Sequence, residues 1–260
     1  MRVVETEVAN SVMTITLNDE EHRNALSNQL LSELMDALDA AENDPRVRVI
    51  VLTNRGTTFC AGANLAERSS DHQRGVGARS VELSELFRRI RLSPKPFVGR
   101  LAGHCVAGGV GLAAVMDISI AIDSAKFGFT EVRVGVVPAI ISVVCLPKMR
   151  LADAQSAFLR GNRFSAEEAA RIGLINKAIS SEEIDHEIDA VVNDLLAGEP
   201  HALAAAKQLT FLVPAMSLEE AFAWTAQLSA ELFQSDEARE GMTAFLEKRA
   251  ASWVEKISRD

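Results

Sequence analysis

The segment Val47–Thr53 (VRVIVLT) constrains the fold most tightly. It is a nearly continuous β-branched run, and a strand that is apolar on both of its alternating faces must be covered on both sides. Pro96–Leu101 and Ile118–Ile122 read as further buried strands, with helical stretches near 79–92 and 108–116 between them. Strands alternating with helices point to parallel βαβ units. Ahead of them, residues 2–18 read as two short strands, with apolar and hydroxyl side chains alternating in Ser11–Leu17. Ser27 opens a helix whose Leu30, Leu31, Leu34, Leu38 and Ala41 recur at the helical period, and Asn43-Asp44-Pro45 stops it. From about residue 150 the chain becomes mostly helical. S/T-x-x-E capping boxes start helices at Ser165 (Glu168), Ser180 (Glu183) and Ser217 (Glu220), and a last long helix carries Ala238, Met242, Phe245, Leu246, Arg249 and Trp253 along one face. The expected fold class is α/β, with a core over 1–195 and a helical region over 196–260.

Composition removes several function classes. A net charge of −9 opposes nucleic-acid binding, which needs a basic face to displace counterions. No apolar run is long enough to cross a bilayer, so no membrane partner is expected. The start, MRVVETEVANSVMTI, lacks a basic head followed by an apolar signal core. Three cysteines argue against a disulfide framework and for a reducing compartment, so the expected location is cytoplasmic. The chain has no tyrosine, so no tyrosyl hydroxyl can take part in its chemistry.

Motifs of catalysis are sparse. There is no G-x-S-x-G, Walker A, C-x-x-C or H-E-x-x-H pattern, and the five histidines show no metal-ligand spacing with Cys60, Cys105 or Cys145. No metal or separate cofactor is expected. Gly109-Val-Gly111-Leu-Ala-Ala114 matches the dinucleotide fingerprint formally, but about a hundred residues precede it and the helix after it is too short. Two small-residue loops that leave apolar strands carry more information: Phe59–Leu65 (FCAGANL) and Ala102–Leu112 (AGHCVAGGVGL). Small residues let a ligand approach backbone amides, and a helix start adds unpaired N–H groups, so two such loops could form an oxyanion hole. They could equally serve only close helix–strand packing.

FCAGANL, GHCVAGGVGLAAVMDISIA, and Phe127-Gly-Phe-Thr-Glu131 followed by Gly135-Val-Val-Pro138 resemble the enoyl-CoA hydratase/isomerase (crotonase) family. Arg23–Ser27 (RNALS), Gly161–Ala169 and Glu240–Arg249 extend that resemblance over nearly the whole chain. The resemblance implies a spiral of ββα units with a helical C-terminal trimerisation region, and a homotrimer or dimer of trimers. It implies an acyl-CoA substrate, the coenzyme A being part of that substrate. The thioester carbonyl would lie between the N–H groups of Ala63 and Gly108. Ala61 would offer its carbonyl to the adenine end, Arg23 would meet CoA phosphates, and Ala25, Asn64, Leu65 and Gly111 would lie against substrate or CoA. Phe245 and Lys248 would reach the CoA of a neighbouring subunit.

One departure matters. Hydratases of the family place two glutamates over the double bond; here Glu131 holds one position and Gly111 stands at the other. Asn64 also replaces the aspartate common at its place, keeping size while losing charge. Glu131 is the expected proton-transfer group, its pKa raised by an apolar pocket, although a carboxylate at a helix start is also favoured by the dipole alone. The resemblance implies a hydratase-type lyase acting on a 2-enoyl-CoA. It leaves open a Δ3,Δ2-enoyl-CoA isomerase using Glu131 alone, or an acyl-CoA binder with little hydratase activity. His104 is expected to pack or hydrogen-bond, and 66–80 to form a variable loop lining the acyl pocket.

Overall fold

The structure, a computed structural model, describes residues 2–65, 67 and 77–254. The segment expected to be a variable loop lies mostly outside these residues.

The chain opens with an antiparallel pair, β1 (Val4–Ala9) and β2 (Val12–Leu17), followed by α1 (Asn28–Asn43). The Ser27 hydroxyl caps α1 by accepting from Leu30 N at 3.1 Å, and the expected apolar face is buried. A strand–strand pattern then repeats. β3 (Val49–Asn54) is followed by β4 (Thr58–Cys60), β5 (Phe97–Leu101) by β6 (His104–Val106), and β7 (Ile118–Ile122) by β8 (Lys126–Gly128). Helix α2 (Gly77–Leu92) leads into the second pair and α3 (Gly108–Val115) into the third. Each pair contributes its first strand to a large sheet and its second to a small one. The large sheet runs β1-β2-β3-β5-β7-β10 and the small one β4-β6-β8-β9. Apart from β1–β2 and β8–β9, neighbouring strands are parallel.

A short helix α4 (Ala139–Cys145), α5 (Leu151–Arg160), β9 (Arg163–Ser165), α6 (Ala166–Arg171), β10 (Lys177–Ile179) and α7 (Ile184–Ala197) follow. The sandwiching of β3 comes from α7. Val49 and Val51 face Ile184, Ile188, Val192 and Leu196, whereas Ile50 and Leu52 join the main core with the α1 leucines. Every residue of β3 is buried. The strands β4, β6 and β8 were not expected from the residue pattern, because three-residue strands show no readable alternation. Both small-residue loops therefore begin as strands of the small sheet.

Two helix expectations need correction. Ser180 does not cap a helix: its Oγ donates to Glu183 Oε2 at 2.9 Å, and α7 opens later, at Ile184, with Glu183 at its N-cap and no side-chain cap bond. By contrast Ser165 caps α6, and Ser217 forms a complete capping box with Glu220. The last helix, α10 (Asp236–Glu247), ends before Arg249 and Trp253, because Lys248 takes a left-handed conformation with φ 55°. Arg249 turns back onto Glu240 at 2.7 Å, and Trp253 Nε1 donates to Ala197 O at 3.1 Å. Arg48 donates to Gly198 O and Trp253 O, both at 2.6 Å, tying the chain end to the strand entry.

Helices α8 (Pro200–Leu212) and α9 (Leu218–Phe233) precede α10. The attachment of α8 is electrostatic. Lys207, with 7% of its side chain exposed, lies 2.9 Å from Asp117 and donates to Ile90 O at 2.8 Å. Asp117 in turn accepts from Phe97 N at 2.7 Å, and the ammonium sits 5.3 Å from the Phe97 ring centroid. Burial pushes the lysine pKa down and the aspartate pKa up, while each partner opposes the other's shift. Removing one member of such a buried pair leaves an uncompensated charge. Lys207→Met should therefore lower stability by about 3–5 kcal/mol, read from urea denaturation; a loss below about 1 kcal/mol would show that the pair is not what fixes α8. Among the described residues no helix is long and apolar enough to cross a membrane.

Candidate active site

The first loop is held by the turn before α1. Leu26 N donates to Gly62 O at 2.7 Å and Ala61 N to Arg23 O at 3.1 Å. Arg23 and Asn24 both adopt positive φ, 55° and 52°, a conformation that asparagine tolerates better than most residues. Asn24 is fully buried and acts as the clasp: Nδ2 donates to Thr58 O at 2.7 Å and to Arg55 O at 3.2 Å, and Oδ1 accepts from Asp19 N at 2.7 Å. The sequence reading missed it, although an Arg-Asn-Ala turn beside a small-residue loop is the available signal.

This clasp creates a cleft of about 220 Å³ lined by Glu21, His22, Arg23, Ala25, Ala63, Asn64 and Leu65. Five residues expected from the resemblance thus come together. Asn64 has a structural task as well, since its Oδ1 accepts from Glu67 N at 3.2 Å. Ala61 sits in the same loop, partly buried.

The second loop meets the first at the start of α3. A Cβ placed on Gly62 would lie 2.9 Å from Gly108 N, and one placed on Gly108 would lie 3.4 Å from Gly62 Cα and 3.8 Å from Ala63 N. The Ala63 and Gly108 amides therefore converge. Among the described residues neither N–H has an acceptor in the chain. Two adjacent, unengaged N–H groups at a helix start can receive a developing oxyanion. Packing is served by the neighbouring position: a Cβ on Gly109 would overlap the Cys60 carbonyl oxygen. The packing reading of the small-residue run thus holds at Gly109, while Gly108 supplies the amide geometry on which the other reading rests. The dinucleotide fingerprint has no such role, because Gly109 and Gly111 lie inside the fully buried α3.

Glu131 begins a single 3₁₀ turn, Glu131–Val134, after Thr130. Its Oε2 is shut off from solvent and has no hydrogen-bond partner. Burial raises the carboxyl pKa, against only a weak backbone bond that lowers it. Cys145 lies within the field of Glu131, and burial pushes its thiol well up. Cys60 is pushed up to about 12 by burial and is not a nucleophile at neutral pH. His104 Nδ1 accepts from Lys126 N at 3.1 Å, so the ring is a hydrogen-bonding residue whose pKa burial lowers. Gly111 is buried in α3, where a Cβ would overlap Ile141 Cγ2 and approach Phe87 Cε2 to 3.0 Å. The place of a second carboxylate is filled by hydrocarbon. Phe245 (83% exposed) and Lys248 sit at the end of α10 and do not line the 220 Å³ cleft of their own chain.

A sequence profile described as enoyl-CoA hydratase/isomerase matches residues 7–256. The chain belongs to the enoyl-CoA hydratase/isomerase family. A crotonyl-CoA hydratase of Syntrophomonas wolfei is 31% identical over 92% of this chain and 93% of its own length. A short-chain-enoyl-CoA hydratase of Clostridium acetobutylicum is 29% identical, with 92% of each chain covered. The crystal structure of an enoyl-CoA hydratase/isomerase from Marinobacter aquaeolei superposes with a TM-score of 0.91 at 28% identity, covering 98% of this chain and 100% of that one. The spiral of paired strands is the crotonase fold, and the chain is an enzyme of this family.

The glycines of α3 give a graded test. Gly109→Ala drives a methyl into backbone and should cost about 1–3 kcal/mol or more through overpacking. Gly111→Glu should also lower the melting temperature, since it adds a buried carboxylate to a filled space, and Ile141→Ala in the same chain should recover part of the loss. Thermal unfolding of the three variants checks the order; an unchanged melting temperature in Gly111→Glu would show that the Ile141 side chain moves aside freely.

Proposed function

We propose that the protein is an enoyl-CoA hydratase-type lyase acting on a 2-enoyl-CoA thioester. The observation that carries this reading is the solvent-shielded, unpartnered Glu131 carboxyl oxygen in a chain whose Ala63 and Gly108 amides converge unengaged. The thioester carbonyl accepts from these two N–H groups, which stabilise the enolate charge formed as water adds at the β-carbon. Glu131 handles the proton that reaches the α-carbon and, through the same water, the proton that leaves it. Arg23, Ala25, Asn64 and Leu65 line the cleft assigned to CoA, with the Ala61 carbonyl at its adenine end.

A second reading is favoured by one feature. Ile141 occupies the space over Gly111, so a single carboxylate is available. A Δ3,Δ2 isomerisation needs no more, since Glu131 can take a proton from C2 of a 3-enoyl thioester and return it at C4. The relatives' names favour hydration. We propose a closed trimer or dimer of trimers, supported by the exposed Phe222, Phe233, Phe245 and Leu246 on α9 and α10. In it the core over 1–195 carries the site, and the helices over 196–260 bring Phe245 and Lys248 to a neighbour's CoA. The free, buried cysteines suit a cytoplasmic location.

Glu131→Gln keeps shape and removes the exchangeable proton. It should lower turnover of crotonyl-CoA by about 10²–10⁴-fold, followed by loss of the conjugated thioester absorbance. Its stability should show the opposite trend. A carboxyl whose folded pKa is raised stabilises the fold below the ordinary carboxylate range and loses that contribution as pH rises through the folded value. The variant should therefore gain stability relative to the native protein between acid and neutral pH. Full turnover in Glu131→Gln would overturn the assignment.

A further inference from the structure

The cleft assigned to CoA contains a titratable group that the proposed reaction does not use. His22 lines it together with Arg23, Ala63 and Asn64. Its Nδ1 is 2.8 Å from Asp19 Oδ1, which fixes the ring and leaves Nε2 without a partner among the described residues. The side chain is 58% exposed, so the free edge is accessible to a ligand. We propose that His22 is a second cation of this cleft and, with Arg23, binds a phosphate group of the acyl-CoA, so that affinity depends on the protonation of its imidazole. The inference rests on the acyl-CoA reading and deepens it.

Charge around the ring supports the idea. The groups facing His22 are Asp19, which hydrogen-bonds to it, and Glu21 and Glu67, which act through space; Arg23 is the other cation lining the cleft. The three carboxylates raise the imidazole pKa, Asp19 most, and so favour its charged form. They also make the cleft mouth acidic for an anionic ligand. Without the imidazolium, Arg23 alone among the lining residues would face those carboxylates and the phosphates together. Protonation adds a positive charge and an Nε2–H donor at the same place, a charge-assisted contact of the kind phosphates accept.

Ligand phosphate titrates near pH 6, so the informative quantity is the affinity ratio between native protein and His22→Gln at each pH. Calorimetry with coenzyme A at constant ionic strength should give a ratio of roughly 3–10 at pH 6.5 that falls toward 1 at pH 8.5, as expected for one partly exposed charge contact. Asp19→Asn, which keeps His22 and removes its principal pKa-raising partner, should move this fall to lower pH. Coenzyme A lacking its 3′-phosphate distinguishes the two phosphate sources: a ratio near 1 assigns the contact to the 3′-phosphate, and a retained ratio assigns it to the pyrophosphate. Clear binding with a ratio independent of pH would overturn the role of His22 alone. Absence of binding by both proteins at every pH would overturn the acyl-CoA reading and this inference with it.

Discussion

The site depends on how closely the start of α3 approaches β4. Gly109 has its Cα against the Cys60 carbonyl, and no side chain can be interposed there. That contact sets the separation of the two small-residue loops. Once α3 is seated, Gly108 lies beside Gly62, and the Ala63 and Gly108 amides converge without partners. An amide left unpaired in a folded interior is costly. The fold tolerates the pair because the packing at Gly109 and the bond from Leu26 N to Gly62 O hold the backbone in place. Preorganisation of this kind spares the catalyst from reorganising dipoles when charge develops.

Buried charge is handled in two opposite ways in the same molecule. Lys207 and Asp117 are paired, and the remaining lysine hydrogens go to backbone carbonyls, so their burial fastens α8 to the core. Glu131 is left with an oxygen that touches no donor. The contrast is between a charge whose partners are fixed and a carboxyl left open. A satisfied group has its protonation state fixed by its partners, whereas an unsatisfied carboxyl can exchange a proton with a ligand at a modest energetic difference.

The large sheet was legible in the sequence because burial on both faces writes a β-branched run into Val47–Thr53, and α1 because five apolar residues keep one period. The small sheet was not, since strands as short as Thr58–Cys60 have no period to read and the small residues that flank them look like loop. The end of α10 was misplaced because its apolar spacing continues to Trp253; a left-handed Lys248 is a backbone event that spacing does not register. At the site, Arg23, Ala25, Ala63, Asn64 and Leu65 were found through the family resemblance, and the structure gathers them in one cleft. Asn24 escaped notice because its work is done entirely by hydrogen bonds to backbone, which no residue pattern displays.

The absence of a carboxylate at position 111 is a property of packing as much as of chemistry. Gly111 allows α4 to press Ile141, and α2 to press Phe87, against α3, and that contact helps place the segment running back to Glu131. A glutamate there would have to displace two buried apolar side chains and pair a charge in their stead. The space over Gly111 is thereby closed by hydrocarbon. With one carboxyl at hand, the proposed hydration and the alternative C2-to-C4 proton shift both route their protons through Glu131. In the proposed hydration, one water must reach the β-carbon from a side that Glu131 can address, because no carboxylate stands at position 111.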